Sequence, residues 1–194
     1  MILLDSDLEP DAALAKIRHG RRSVVSRLPA TSREHRLPTA RTLARFLGEA
    51  QAAVKLRGQV TVLLTTDAAI RRLNRQFRSK DNATDVLSFP AEGVGAQGMA
   101  GDLAISVPAA LRQAGEQGHP LAVEIKVLML HGLLHLAGYD HERDTGRMAR
   151  RERLLRTRLG LPQGLIERVA EPKLPMIRGA RGNPTRRIRT GEKP

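Results

Sequence analysis

Cysteine is absent from the 194 residues of the sequence. This absence excludes a disulfide framework, and it excludes every metal site that needs a thiolate ligand. A zinc ion in this chain would therefore have to be bound by histidine or carboxylate side chains. A chain without cysteine is compatible with a reducing compartment, and we expect a cytoplasmic location.

Aromatic residues are nearly as scarce, with 3 Phe, 1 Tyr and no Trp. Proteins that bind single strands by stacking use rows of aromatic rings, so the composition gives such stacking little support. Basic residues are abundant instead: 33 Lys and Arg stand against 20 Asp and Glu, which gives a net charge of +13. This excess predicts an anionic partner, most often nucleic acid, bound mainly through its phosphates.

Long apolar runs are also missing. The most apolar segment, 121–137, falls short of the roughly 20 residues that cross a bilayer, and it contains Glu124 and Lys126. The N-terminus lacks the basic region and apolar core of a secretion signal. We therefore expect no membrane among the partners of this chain.

Hydrophobic periodicity predicts an α+β (α/β) fold. Strands are predicted at 2–8, 59–65, 86–89 and 103–107. Helices are predicted at 38–57, 67–77, 108–117, 121–137 and 144–159. We expect a single compact domain in which a small mixed sheet of about four strands packs against about five helices, with 121–137 as the central buried helix.

Composition shifts predict the domain boundaries. The folded domain is expected to span 1–161, and the polar, Arg-rich interval 9–37 is a predicted insertion with a short helix at 11–18. The glycine-rich loop 90–98 is a candidate flap. Residues 162–194 carry 8 basic and 3 acidic side chains, which predicts a disordered basic tail.

Two of the predicted helices have distinct faces. In the second helix, Asp67 is the expected N-cap, and helical spacing places Ile70, Leu73 and Phe77 on the buried side. The last helix is expected to turn its apolar residues inward. Its arginines, Arg156 among them, are predicted to form a basic surface.

Three histidines stand at the spacing of a metal site. His131 and His135 are four residues apart, which places both imidazoles on one face of the central helix. Gly138 permits the positive φ that ends a helix, so the chain can turn back and bring His141 to the same ion. Three histidine ligands leave one position of a zinc ion open, which is the catalytic pattern.

The same spacing occurs in zinc peptidases with the H-E-x-x-H-x-x-G-x-x-H signature, where a glutamate follows the first histidine. Gly132 occupies that position here, so the general base of a peptidase is missing. A zinc metallopeptidase with this metzincin-like spacing is an alternative in which Asp140 or Glu142 supplies the carboxylate.

Four motifs in a fixed order carry a family resemblance. They are Leu73-Asn74 with Phe77-Arg78, the run TDVLSFP at 84–90, the run GDLAIS at 101–106, and the run HGLLHLAGYDH at 131–141. Together they resemble the bacterial YbeY family over about residues 38–160. The resemblance implies a small metal-dependent, single-strand-specific endoribonuclease, a phosphodiester hydrolase that acts in 3′-end maturation of small-subunit (16S) ribosomal RNA and in ribosome quality control.

The resemblance also implies roles for particular residues. The zinc ligands of the family fall on His131, His135 and His141, which would hold one Zn²⁺, and its functionally important arginine falls on Arg78. The implied partners are small-subunit ribosomal RNA within the ribosome, the GTPase Era and small-subunit ribosomal proteins. A second alternative is a non-catalytic ribosome-assembly factor in which zinc only fixes the turn.

Arg78 has a chemical task that suits this resemblance. A guanidinium offers paired donors to phosphate oxygens and stays charged at any working pH, so it can stabilise the charge that grows on a reacting phosphorus. The alternative is a salt bridge from Arg78 to Asp81 or Asp85. Asp85 or Asp102 is also a candidate for orienting a ligand imidazole.

Overall fold

The computed structural model of the protein describes residues 1–8, 35–91, 98–141 and 143–163. Several predictions fall on other residues. The helix at 11–18, most of the predicted insertion, the interior of the candidate flap, Glu142 and nearly all of the basic tail lie outside the described residues.

The described residues form an α+β domain with five helices and four strands. The helices are α1 (Ala40–Val54), α2 (Asp67–Arg78), α3 (Val107–Gln117), α4 (Leu121–Leu136) and α5 (Arg147–Arg158). The strands are β1 (Ile2–Leu4), β2 (Gln59–Thr65), β3 (Val86–Pro90) and β4 (Met99–Ser106). The predicted fold class is confirmed, and most element boundaries lie within a few residues of their expected positions.

The sheet is mixed, with strand order β1-β2-β4-β3. β2 pairs in parallel with both β1 and β4, whereas the edge strand β3 runs antiparallel to β4. β1 is shorter than predicted because the chain turns at Asp5, whose carboxylate accepts a hydrogen bond from the backbone N–H of Asp7 at 3.0 Å.

Helix α4 is the centre of the core. It contacts β3 and β4 of the sheet and packs beside α1, α3 and α5. Its side chains with no exposed surface include Ile125, Leu128, Met129, Leu130, Leu133 and Leu134. Each such side chain stabilises the fold by about 1.5–3 kcal/mol, so α4 is a rigid support for the residues at its C-terminal end. None of the helices in the described ranges combines the length and apolar character that crossing a bilayer requires.

Gly132 lies where α4 approaches the sheet most closely. A Cβ atom at this position would lie 2.7 Å from Cδ2 of Leu103 in β4. The hydroxyl of Ser88 in β3 donates a hydrogen bond to the Gly132 carbonyl at 3.3 Å. A side chain at this position would have to displace the buried Leu103 side chain or move the helix, so packing accounts for glycine at the position where zinc peptidases carry a glutamate.

Helix α2 differs from its prediction at two positions. Its N-cap is Thr66, not Asp67, and the Thr66 hydroxyl accepts from the backbone N–H of Ala69 at 3.2 Å. Phe77 was expected on the buried side, and this prediction is wrong because its side chain is 60% exposed. The buried face continues from Ile70 to Asn74, whose amide donates to the carbonyl of Asn82 at 2.8 Å.

Helix α5 carries a buried charged pair that we did not predict. Arg156, predicted to lie on the basic surface, is 3% exposed, and Glu152 is 1% exposed. Both lie on the face that buries Met148 and Leu155, and the Arg156 Nε donates to the Glu152 carboxylate at 2.8 Å. The mutual charge and hydrogen bonds allow both side chains to be buried.

Candidate metal centre

The structure brings the three predicted histidines together. His131 and His135 project from the last turns of α4, with their Nε2 atoms 3.2 Å apart. The ring centroid of His141 lies 5.5 Å from that of His131 and 5.2 Å from that of His135. One potential ligand atom of each histidine lies within 4.8 Å of the others, so the three can share one metal ion.

The turn after α4 explains how His141 reaches this position. Gly138 has a φ of 83°, in the left-handed region that favours glycine. Its N–H donates to the carbonyl of His135 at 2.9 Å, and the N–H of Tyr139 donates to the carbonyl of Leu134 at 3.0 Å. These bonds end the helix and reverse the chain, which brings His141 back over the two helical histidines.

The donor set fits a transition metal ion. All three groups are imidazoles, which suit zinc and similar divalent ions. Nδ1 of His131 lies 3.0 Å from a carboxylate oxygen of Glu152, so its Nε2 is the nitrogen available within the cluster. Nδ1 of His141 is buried without a hydrogen-bond partner in the described part of the chain. A buried polar atom of this kind calls for a partner, and a bound metal ion would supply one.

The electrostatics of the cluster keep the His135 ring neutral. Burial lowers the pKa of His135 to about 4, and the neighbouring rings of His131 and His141 contribute in the same direction. A histidine with this pKa is neutral at pH 7. Since a ligand imidazole must be deprotonated to bind a metal, His135 needs to lose no proton for that purpose.

Glu152 supports the cluster from α5, and sequence reasoning did not find it. Burial alone would raise the pKa of Glu152, but the hydrogen bond with His131 and the charge of Arg156 outweigh burial and lower the pKa. The carboxylate is therefore ionised at neutral pH. A signal was present in the sequence, because Glu152 is the only acidic residue in α5 and lies at helical spacing between Met148 and Leu155.

The two aspartates that were suggested to orient an imidazole, Asp85 and Asp102, have other surroundings. The carboxylate of Asp85 accepts from the backbone N–H of Val86 at 2.8 Å and from the amide of Gln113 at 2.8 Å. These bonds fix the start of β3. Asp102 is exposed on β4. Among the described residues neither aspartate is hydrogen-bonded to one of the three histidines, and the carboxylate beside His131 is that of Glu152.

The three histidines and Arg78 line one cleft of about 1010 Å³. Lys80, Arg143 and Arg147 add positive charge to its walls. The cleft also contains three carboxylates with partners of their own. Asp85 is bonded as described above, Asp140 pairs with Arg143 at 3.5 Å, and Asp144 accepts from the backbone N–H of Met148 at 2.8 Å. The basic side chains make the cleft suitable for a polyanion.

Arg78 is the last residue of α2 and is exposed. The carboxylate of Asp81, one of its suggested partners, instead receives two hydrogen bonds from Arg71, each 2.8 Å long. Asp85 is occupied by Gln113. Neither alternative salt bridge forms in the described part of the chain, and Arg78 lines the cleft, where its guanidinium can meet a ligand.

A histidine cluster able to hold a metal ion, in a basic cleft of an α+β domain, defines a metal-binding protein suited to a phosphate-bearing ligand. A family model described as Endoribonuclease YbeY matches residues 30–160. The relative of that name from Koribacter versatilis is 53% identical over 131 residues, which cover 68% of this chain and 84% of the relative.

A second relative of the same name, from Solibacter usitatus, is 52% identical over 143 residues, which cover 74% of this chain and 90% of that relative. A solution structure of a Thermotoga maritima protein is 28% identical, with a TM-score of 0.45, and the match covers 63% of this chain and 85% of that one. From the family model and the two relatives, the chain belongs to the YbeY family of endoribonucleases. The predicted family and enzyme class are confirmed.

Proposed function

We propose that this chain is a zinc-dependent, single-strand-specific endoribonuclease that acts in 3′-end maturation of 16S ribosomal RNA and in ribosome quality control. The observation that carries the proposal is the placement of His131, His135, His141 and Arg78 around one cleft. Membership of an endoribonuclease family supports RNA as the ligand of that cleft.

The residues of the cleft divide the chemistry between them. The three histidines would hold the zinc ion, and the chemistry that such an ion supplies is polarisation of a phosphoryl oxygen or activation of water. Arg78 binds the scissile phosphate through its paired N–H groups and stabilises the negative charge that grows there. Lys80 and Arg147 bind neighbouring phosphates and hold the strand in the cleft.

The peptidase alternative has less support. It needs a carboxylate base at the metal, and the position where zinc peptidases carry one is Gly132, packed against Leu103. Asp140, one suggested replacement, pairs with Arg143. Glu142, the other, lies outside the described residues. Family membership adds weight to the nuclease.

The non-catalytic alternative treats zinc as a structural element. Structural zinc sites are closed by four protein ligands, whereas the described residues offer three at this cluster. The three also line a cleft with Arg78, which a purely structural ion would not require. We extend the proposal to the GTPase Era and small-subunit ribosomal proteins as partners, and to a cytoplasmic location, on the family resemblance alone.

Metal analysis combined with cleavage assays tests the proposed function. We expect purified protein to contain one zinc per chain and to cut single-stranded ribosomal RNA, but neither a matched duplex nor casein. Removal of the metal by a chelator should abolish RNA cleavage while circular dichroism still shows a folded domain. Addition of zinc should then restore the cleavage. Digestion of casein would favour the peptidase, and full RNA cleavage by a metal-free preparation would overturn the metal dependence.

A further inference from the structure

Glu152 occupies an unusual position for a carboxylate. It is 1% exposed, and its two oxygens have different partners. Oε2 lies 3.0 Å from Nδ1 of His131, while Oε1 receives both Nε and Nη2 of Arg156. The Arg156 Nη1 donates to the backbone carbonyl of Pro162 at 3.1 Å, which anchors the guanidinium in turn.

This division of oxygens is informative. An arginine and a carboxylate that serve only as a structural pair commonly form two parallel bonds, one to each oxygen. Here both Arg156 nitrogens converge on Oε1 of Glu152, and Oε2 is left for His131. The pair is therefore arranged to present one fixed, negatively charged oxygen to the imidazole.

The carboxylate determines which nitrogen of His131 carries the proton, because its oxygens accept hydrogen bonds and cannot donate them. An ionised carboxylate can only accept a hydrogen bond, so in the uncharged form of the His131 ring the single proton must be on Nδ1. The lone pair is then on Nε2, the atom that lies 3.2 Å from Nε2 of His135. That nitrogen is the one that can bind the shared metal ion.

We infer that Glu152 is a positioning residue for the metal centre: it fixes the tautomer and orientation of His131, and Arg156 holds Glu152 in place. This inference rests on the proposed metal site but concerns residues outside the ligand set. Partners of this kind commonly contribute about 10- to 100-fold in metal affinity.

The substitution Glu152→Gln tests the inference with little change in shape. Arg156 can only donate hydrogen bonds, so the glutamine carbonyl should turn toward Arg156 and its NH₂ group toward His131. The NH₂ group would then donate to Nδ1 and move the His131 proton to Nε2, which blocks the ligand atom. We expect zinc affinity to fall about 10- to 100-fold, measured by competition with a chelator.

A matched control exists on the same central helix. Glu124 of α4 is also buried, and its Oε2 lies 2.9 Å from Nε2 of His119, which is not among the residues lining the cleft. Glu124→Gln should leave zinc affinity unchanged, even where thermal stability falls. Equal losses of affinity in both variants would mean that Glu152 acts only through general stability, and would overturn the inference.

The tautomer provides a second measurement that needs no variant. In the metal-free wild type, long-range ¹H–¹⁵N correlation spectra at neutral pH should show the His131 proton on Nδ1. A proton on Nε2 would overturn the inference whether or not Glu152→Gln folds. If the wild type bound no zinc but showed the Nδ1 proton, the proposed metal function would fail while the positioning of His131 stood.

Discussion

Helix α4 has a buried carboxylate–histidine pair at each end, and the two pairs differ in what surrounds them. At the N-terminal end, His119 Nε2 lies 2.9 Å from Glu124, in the first turn of the helix. At the C-terminal end, His131 Nδ1 lies 3.0 Å from Glu152. The distances are almost equal, so the pair alone does not define a functional site.

The difference lies in the second nitrogen of each ring. The free nitrogen of His131 meets two further imidazoles in a cleft lined by Arg78. His119 belongs to no metal-capable group in the described part of the chain. Glu124 suits the first turn of a helix, where the dipole favours negative charge. We interpret the N-terminal pair as structural and the C-terminal pair as part of the metal centre.

The largest expected effect comes from removing a histidine of the metal centre. His135→Ala should reduce zinc content from one ion per chain to a trace and abolish RNA cleavage, because two imidazoles bind zinc far more weakly than three. His119→Ala makes the same substitution at the other end of α4, and this variant should retain its zinc content and its RNA cleavage. Zinc content is measured by mass spectrometry of the purified protein. Retention of zinc by His135→Ala would contradict the assignment of the metal centre to the C-terminal end of α4.

Arg78→Ala separates binding of the metal from contact with the phosphate. We expect cleavage to slow by about 10²- to 10³-fold, as with the loss of other groups that stabilise transition-state charge, while zinc affinity is unchanged. Arg78→Lys should recover only part of the rate, because an ammonium lacks the paired donors. Arg72→Ala is the control, since Arg72 is exposed on the same helix but does not line the cleft. Cleavage by Arg78→Ala at the wild-type rate would contradict the proposed contact between Arg78 and the scissile phosphate.

The pH dependence of stability should also trace to the C-terminal end of α4. The pKa of His135 is about 4 in the fold, below the 6.5 of an ordinary histidine, so unfolding takes up a proton between these values. The metal-free protein should therefore be fully stable above about pH 6.5 and lose stability as the pH falls toward 4. The lowered pKa of Glu152 should add to the loss below about pH 4.5, as that carboxylate becomes protonated.

Urea unfolding in the presence of a chelator, repeated between pH 7 and pH 4, measures this dependence. His135→Ala should show a flatter dependence between pH 6.5 and 4 than the wild type does. Parallel curves for the two proteins would assign the pH dependence to other groups.

The two ends of α4 also show what the sequence can predict. The histidine cluster depends on local geometry, the spacing of His131 and His135 on one helix and a glycine turn before His141, so its assembly was predictable. Strand and helix periods likewise predicted the mixed sheet and the central helix. Such patterns operate over a few residues, where the backbone fixes which side chains are neighbours.

The pairing of His131 with Glu152 depends on tertiary packing between α4 and α5, because the two residues are 21 positions apart in the sequence. Charged residues on a helix are usually solvated, and this rule placed Arg156 on the surface incorrectly. The helical spacing of Phe77 likewise did not show that it would be exposed, with its ring 5.2 Å from that of Phe89 on β3. Asn74 continues the buried face there because Asn82 satisfies its amide. The sequence pattern of one element does not specify the partner that buries it.

The smallest expected effect is at the N-terminal pair. His119→Ala removes the ion-pair partner that lies 2.9 Å from the buried Glu124 carboxylate, and loss of a partner of a buried polar group costs about 1–3 kcal/mol. We expect the free energy of unfolding to fall by about that amount, while His119→Gln recovers part of the loss because its amide can donate to the carboxylate. Zinc affinity should be the same in both variants and the wild type. If it fell together with stability, the two ends of α4 would be coupled through the helix, and the separation into a structural pair and a metal-site pair would not hold.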